Sequence, residues 1–473
     1  MLIYIMFSIL FALLIFSYFY FKRDIVNPAV LFFTVYSFSV FCALFNIEKW
    51  GIEIQPITFC IIIGGALEFL MISIICKVIF EKKQKDITED SDISNKENND
   101  AKLIEINKKR EKNINIFLAI IIIYSLIVLI VLSYHIISIS AKFGKFSNIS
   151  EMLTLYKEAT SYTTHARLPK YVTILMKPFI AGTYICYYIF IKKILDKNIQ
   201  NKNEILKLLA KNLPYLIPTI LYIISVFIQS NREAIIIIIF NYFIMTVIFW
   251  YKKNEWNKTI KPVFLLETLI IGVFGLILFF FSAKWVGRIN EQGMFDYITF
   301  YCGGSIECLN QYMKEPKEIE VVRGEETFYN LINTLDSFKI TNYNIKDKLT
   351  VHKEFRYYNG KMIGNVYTGY RRWIHDYGIP GMIILQFVFA LVINIIYYSI
   401  KYTKSKNRLN DFLIIFYSYL SYTIYLQPID DYFYFDVIGQ ASLAVIICII
   451  IEYIITYKIY NKFNINAKEE KNE

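Results

Sequence analysis

The sequence predicts an all-α polytopic membrane protein with about eleven transmembrane helices and one large extracytoplasmic loop. Three observations predict it. Of the 473 residues, 56% are hydrophobic, more than the near-even balance of ordinary soluble domains. The apolar residues fall in blocks, several of them close to the roughly 20 residues that cross a bilayer core. Lysines and arginines gather in alternate loops between the blocks, as the cytoplasmic loops of membrane proteins carry them.

The blocks lie near residues 2–21, 29–47, 56–78, 114–135, 171–191, 213–229, 234–251, 263–284, 379–400, 411–427 and 435–457. The first block has no basic start and no small-residue cleavage site, so it reads as a retained span. Basic residues at Lys22–Arg23, within 79–113, at Lys192–Lys211, Lys252–Lys261 and Lys401–Arg408, and after Lys458 place those segments in the cytoplasm. The chain then divides into three parts. Residues 1–284 hold helices one to eight, with a cytoplasmic linker at 79–113 and an outer loop at 136–170. Residues 285–378 form the large extracytoplasmic loop. Residues 379–473 hold helices nine to eleven and a cytoplasmic tail.

The net charge of +11 does not argue for nucleic acid, because the lysines sit in short loops between apolar blocks. Segment 79–113 mixes both charge signs, has no aromatic after Phe80, and reads as a solvated linker. The seven cysteines show no CxxC or His/Cys spacing for zinc. Cys302 and Cys308 share one polar region and are candidates for an extracellular disulfide. No GxSxG, HExxH, Walker or Rossmann pattern appears in a supporting context. No cofactor or metal is expected.

All four histidines, His135, His165, His352 and His375, fall on or near the outer side. The densest chemistry is Asn365–Gly381, "NVYTGYRRWIHDYGIPG", where the large loop returns to the membrane. In a helix, Arg372, His375 and Asp376 share one face. Two readings stand side by side. One is an interfacial belt of aromatics and arginines anchored at headgroups. The other is an anion site in which arginine forks match phosphate and His375 or Asp376 moves a proton. Arg232, in "QSNREAI", sits at a helix start between two closely spaced spans, where an anion is also favoured. Arg288, in "KWVGRIN", is a further phosphate candidate, against a snorkelling anchor. Gly303–Gly304 could present backbone amides in a turn, though an ordinary loop fits too. Glu68 and Lys177 lie within apolar blocks and have no partner evident from the sequence.

Together "GNVYTGYRRWIHDYGIPG", "YCGGSIECLN" and "QSNREAI" resemble the bacterial oligosaccharide repeat unit polymerases, the Wzy-type O-antigen and capsule polymerases. The strongest part is Asn365-Val366-Tyr367-Thr368 followed by Asp376, Gly378 and Gly381. The resemblance implies a glycosyltransferase fold of the kind that uses lipid-linked donors (GT-C-like), without a metal. It implies a multi-pass protein of the bacterial plasma membrane with its active site facing outward. Donor and acceptor would be undecaprenyl-diphosphate-linked oligosaccharides, with a flippase and a chain-length regulator as partners. On that reading His375 and Asp376 are catalytic, and Arg232, Arg288, Arg371 and Arg372 hold the diphosphate. Asn365, Tyr367, Tyr370 and Trp373 contact sugar. A glycan ligase would use the same donor with a different acceptor. A lipid-linked oligosaccharide flippase is the rival outside enzymes, but such transporters place their sites at broken mid-membrane helices, often in paired repeats, and no repeat is evident.

Overall fold

The computed structural model describes residues 1–88, 100–162, 167–195, 201–260, 293–403 and 408–469. Among these the chain is mostly helical, and eight helices are long and apolar enough to cross a membrane. They are α1 (Leu2–Tyr20), α4 (Pro56–Thr88), α5 (Asp100–Phe143), α7 (Lys170–Leu195), the pair α8 (Lys202–Asn212) and α9 (Ile217–Ile228) that forms one span, α10 (Arg232–Lys253), α14 (Tyr370–Tyr402) and α17 (Gln440–Glu469). Shorter helices fill between: α2 (Pro28–Leu44), α3 (Ile47–Trp50), α6 (Ile149–Tyr162), α11 (Met294–Lys314), α12 (Tyr329–Ser337), α13 (Ile345–Lys348), α15 (Arg408–Leu420) and α16 (Tyr422–Tyr425).

Local chemistry sets several boundaries. The Asn27 side chain accepts from the Ala29 N–H at 3.0 Å, and Pro28 opens α2. Asn231 caps α10 in the same way through the Ala234 N–H. In the outer loop a two-stranded hairpin joins β1 (Arg356–Tyr358) to β2 (Lys361–Gly364). Its turn is Asn359–Gly360, both with positive φ, the usual chemistry of a two-residue hairpin loop.

Three expected spans differ. The block 29–47 is a 17-residue helix that stops at Leu44. The block 411–427 is broken into α15 and α16, with Ser418, Ser421 and Thr423 hydroxyls bonding back to preceding carbonyls. The block 263–284 lies outside the described residues. Cys302 and Cys308 stand six positions apart on α11, about 9 Å along its axis, so they cannot bond to each other. Both are free thiols, and Cys308 Sγ lies 3.6 Å from the Gly364 carbonyl oxygen.

Contacts sort the connecting segments into two groups. Asp24 pairs with Lys401, Asp411 with Lys192 and Lys252, and Lys193 with Glu111. On the other face, segment 427–437 packs against the loop 293–378: the Gly369 N–H donates to the Gln427 carbonyl oxygen at 2.9 Å, and Asn330 to that of Phe435 at 2.8 Å.

Candidate functional site

The site grows from the first two turns of α14. Gly378 has φ +67° and ψ −172°, so the helix breaks there and restarts at Ile379–Pro380. Proline at the restart costs no hydrogen bond, because first-turn amides lack helical partners. The break separates a polar stub, Tyr370–Tyr377, from the long apolar segment behind it.

Consecutive positions on the stub send two arginines into different partners. Arg371 is 1% exposed. It pairs with Glu326 and, at 3.1 Å, with Glu354. Its guanidinium lies between the Tyr312 and Tyr367 rings, 4.5 and 4.7 Å from their centroids. Arg372 makes a two-pronged bond to Asp430, at 2.6 and 2.7 Å, and donates to the Glu326 carbonyl oxygen at 3.1 Å. The Phe435 ring lies 4.0 Å from it.

His375 and Asp376 take different tasks. His375 Nε2 lies 3.0 Å from Glu325, and Nδ1 lies 3.3 Å from the Tyr312 hydroxyl. The Glu325 carboxylate also accepts from the N–H groups of Glu320, Val321 and Val322. Burial opposes its charge, but these amides and His375 outweigh it and hold the carboxyl below its ordinary range. A carboxylate only accepts, so Nε2 carries the proton that faces Glu325, and in the neutral ring the lone pair is on Nδ1. Asp376 instead accepts from the Thr327 N–H at 2.7 Å and the Glu326 N–H at 3.4 Å. These bonds position the Glu325–Thr327 backbone.

Glu326 also pairs with Lys353. Burial disfavours its charge, yet Lys353 and Arg371 prevail and drive its carboxyl far down. Burial, with repulsion from Arg372 and Arg371, brings the Lys353 ammonium down to about 7. Arg372, His375, Lys353, Glu325 and Glu326 line a cavity of about 330 Å³, and Thr350–His352 line it too. His352 therefore does join the site, through a loop 23 residues before His375.

The other expected site residues are placed as follows. Arg371 does not line the cavity and is enclosed between the Tyr312 and Tyr367 rings, which corrects a direct diphosphate role there. Tyr367, Tyr370 and Trp373 are fully buried, which corrects the sugar-stacking assignment. Tyr367 bonds Arg356 and the Glu354 carbonyl oxygen, Tyr370 packs against Tyr36 and Trp373, and Trp373 donates to Asp431 at 2.8 Å. Asn365 is half-buried just after β2. Arg232 is buried, and donates to the Tyr297 hydroxyl at 2.8 Å. Its neighbour Glu233 accepts from Tyr432, two residues beyond Asp430, which ties the start of α10 to the segment that holds Arg372. Arg288 and His165 lie outside the described residues. Gly303 and Gly304 are mid-helix: a Cβ on Gly303 would stand 2.5 Å from the Ala43 amide nitrogen, so they serve close packing, not an anion-binding turn.

Sequence reasoning missed Glu325, Glu326, Lys353, Glu354, Asp430 and Asp431. The one local signal was "PIDDYFYFD", adjacent acids among aromatics between two apolar blocks on the site face. Compared with known proteins, the chain matches no family model, no curated protein and no solved structure.

Proposed function

We propose that this protein is a membrane glycosyltransferase that polymerises undecaprenyl-diphosphate-linked oligosaccharide repeat units at the outer face of the bacterial plasma membrane. One observation carries the reading: His375, oriented by Glu325, lines a polar cavity with Arg372 and Lys353 where α14 turns into its apolar segment. A lipid-borne diphosphate would lie in the bilayer surface beside that opening. The resemblance of Asn365–Gly381 to repeat unit polymerases supplies the substrate class.

The geometry suits a single displacement. Once the buried Tyr312 ring, which does not itself line the cavity, has moved aside, an acceptor hydroxyl takes the place of the Tyr312 hydroxyl, 3.3 Å from His375 Nδ1. Its oxygen attacks the anomeric carbon of the donor as the carbon–oxygen bond to the diphosphate breaks. The hydroxyl proton passes to Nδ1, and Glu325 stabilises the imidazolium. The departing diphosphate carries the electron pair of the broken bond and gains negative charge, which Arg372 and Lys353 stabilise. Arg371 and Asp376 hold the walls in register.

Deleting the gene separates polymerase from ligase. Loss of a polymerase leaves single repeats and no ladder of longer glycan; loss of a ligase leaves full-length polymer that is not attached to its acceptor. An unchanged glycan profile would refute both.

A further inference from the structure

A second cavity, of about 500 Å³, opens on the face opposite the site. It lies among the ends of four elements: the turn after α1, the polar end of α4, the turn after α10, and the last turn of α14. Four lysines line it, Lys22, Lys77, Lys258 and Lys401, with three carboxylates, Asp24, Glu81 and Glu255, and walls that include Tyr251, Trp256 and Tyr402.

The charges there are unevenly spent. Lys401 pairs with buried Asp24 at 2.7 Å and faces the Trp256 ring at 4.8 Å. Glu81 accepts from the Tyr402 hydroxyl at 2.8 Å. Lys77 donates to the Tyr20 carbonyl oxygen at 3.1 Å and lies 4.1 Å from the Tyr20 ring, within electrostatic reach of Lys22 and Lys401 as well as Glu81. Among the described residues, no carboxylate is within ion-pair distance of Lys22, Lys77 or Lys258. Ammonium groups that converge on a cavity repel one another unless an anion lies between them. The rim is also held in an unfavourable backbone form. Lys22, Arg23, Glu255 and Trp256 all have φ between +50° and +60°, a cost that side-chain-bearing residues bear only where surrounding contacts impose it.

We infer that this cavity binds a phosphate group, either the phosphodiester of an anionic phospholipid or a free phosphate. Lysines offer point charges to several phosphate oxygens at once. The aromatic walls belong to helix ends at a membrane boundary, and Phe16 and Phe19 of α1 are exposed close by in sequence, as on a lipid-facing surface. Basic pockets between span ends recur as headgroup sites. The opposite end of α14 carries Arg371, Arg372 and His375, so a bound headgroup would anchor the same helix that shapes the site. The inference does not depend on the glycan chemistry.

The test uses the full-length purified protein. Native mass spectrometry compares retention of phosphatidylglycerol with that of phosphatidylcholine. Thermal melting compares inorganic phosphate with chloride at equal ionic strength. The variant is Lys22→Asn with Lys77→Gln; asparagine tolerates the left-handed backbone at position 22. Selective phosphatidylglycerol retention that falls about tenfold in the variant assigns the phospholipid. Stabilisation by inorganic phosphate alone, lost in the variant, assigns a soluble phosphate. Wild type and variant alike in both measurements overturn the inference. Should the double variant not fold, Lys22→Asn alone, at an exposed position, must show the same direction of change.

Discussion

Arg371 keeps a full charge while almost no part of it reaches solvent, because Glu326, Glu354 and two tyrosine rings enclose it. Removing one member of such a buried set leaves another charge without its partner, at a cost of about 3–5 kcal/mol. Glu354 offers a sharper test by pH. Burial opposes its charge, but the Arg371 guanidinium beside it, more than any other neighbour, brings its carboxyl down to about 2, from an ordinary 4.5. A depressed carboxyl stabilises the fold fully above about pH 4.5 and loses that contribution as pH falls toward 2. Glu354→Gln should therefore melt below wild type at pH 6, and the gap should narrow at pH 3. A gap of constant size contradicts the pairing. The sequence showed the arginines and His375 because they lie on one short helix. It hid Glu325 and Glu326, fifty residues upstream, and Asp430, 58 residues downstream, because ion pairing across a fold leaves no local period.

At the scale of elements, α4 and α14 pack closely at Gly65. A Cβ there would stand 2.5 Å from the Tyr370 hydroxyl and 2.8 Å from its ring, and that ring is buried against Tyr36 and Trp373. At the adjacent Gly64 a Cβ meets nothing within 4 Å. Gly65→Ala should destabilise by about 1–3 kcal/mol through overpacking, and Gly64→Ala should not. Equal melting temperatures for the two variants would contradict this packing. The long helices were legible because apolar length is a local property. The break at Leu420 was not: Asn241 of α10 bonds Tyr184, Ser421 and Tyr425, and these cross-helix bonds hold an apolar stretch out of continuous helix. The hairpin at Arg356–Gly364 was legible in principle from Asn359–Gly360, but only four strand-like residues on one side flank it.

The whole molecule presents two polar faces separated by apolar helices, with the His375 cavity on one and the lysine cavity on the other. Under the orientation proposed above, an impermeant thiol reagent applied to intact cells should label Lys339→Cys and spare Lys258→Cys, both exposed positions, in a background lacking native cysteines. The reverse pattern would turn the site toward the cytoplasm and remove it from the outer-face substrate. The central claim is that His375 accepts the acceptor proton in glycan transfer, with Asp376 only a support. The most direct measurement is turnover by purified protein given undecaprenyl-diphosphate-linked oligosaccharide, with product length read for wild type, His375→Ala and Asp376→Asn. Wild type should make ladders of linked repeats, and His375→Ala should slow them by a hundred- to ten-thousand-fold, as loss of a positioned base typically does. Asp376→Asn should lower thermal stability and keep more activity than His375→Ala. No extension by wild type, or full turnover by folded His375→Ala, would contradict the account.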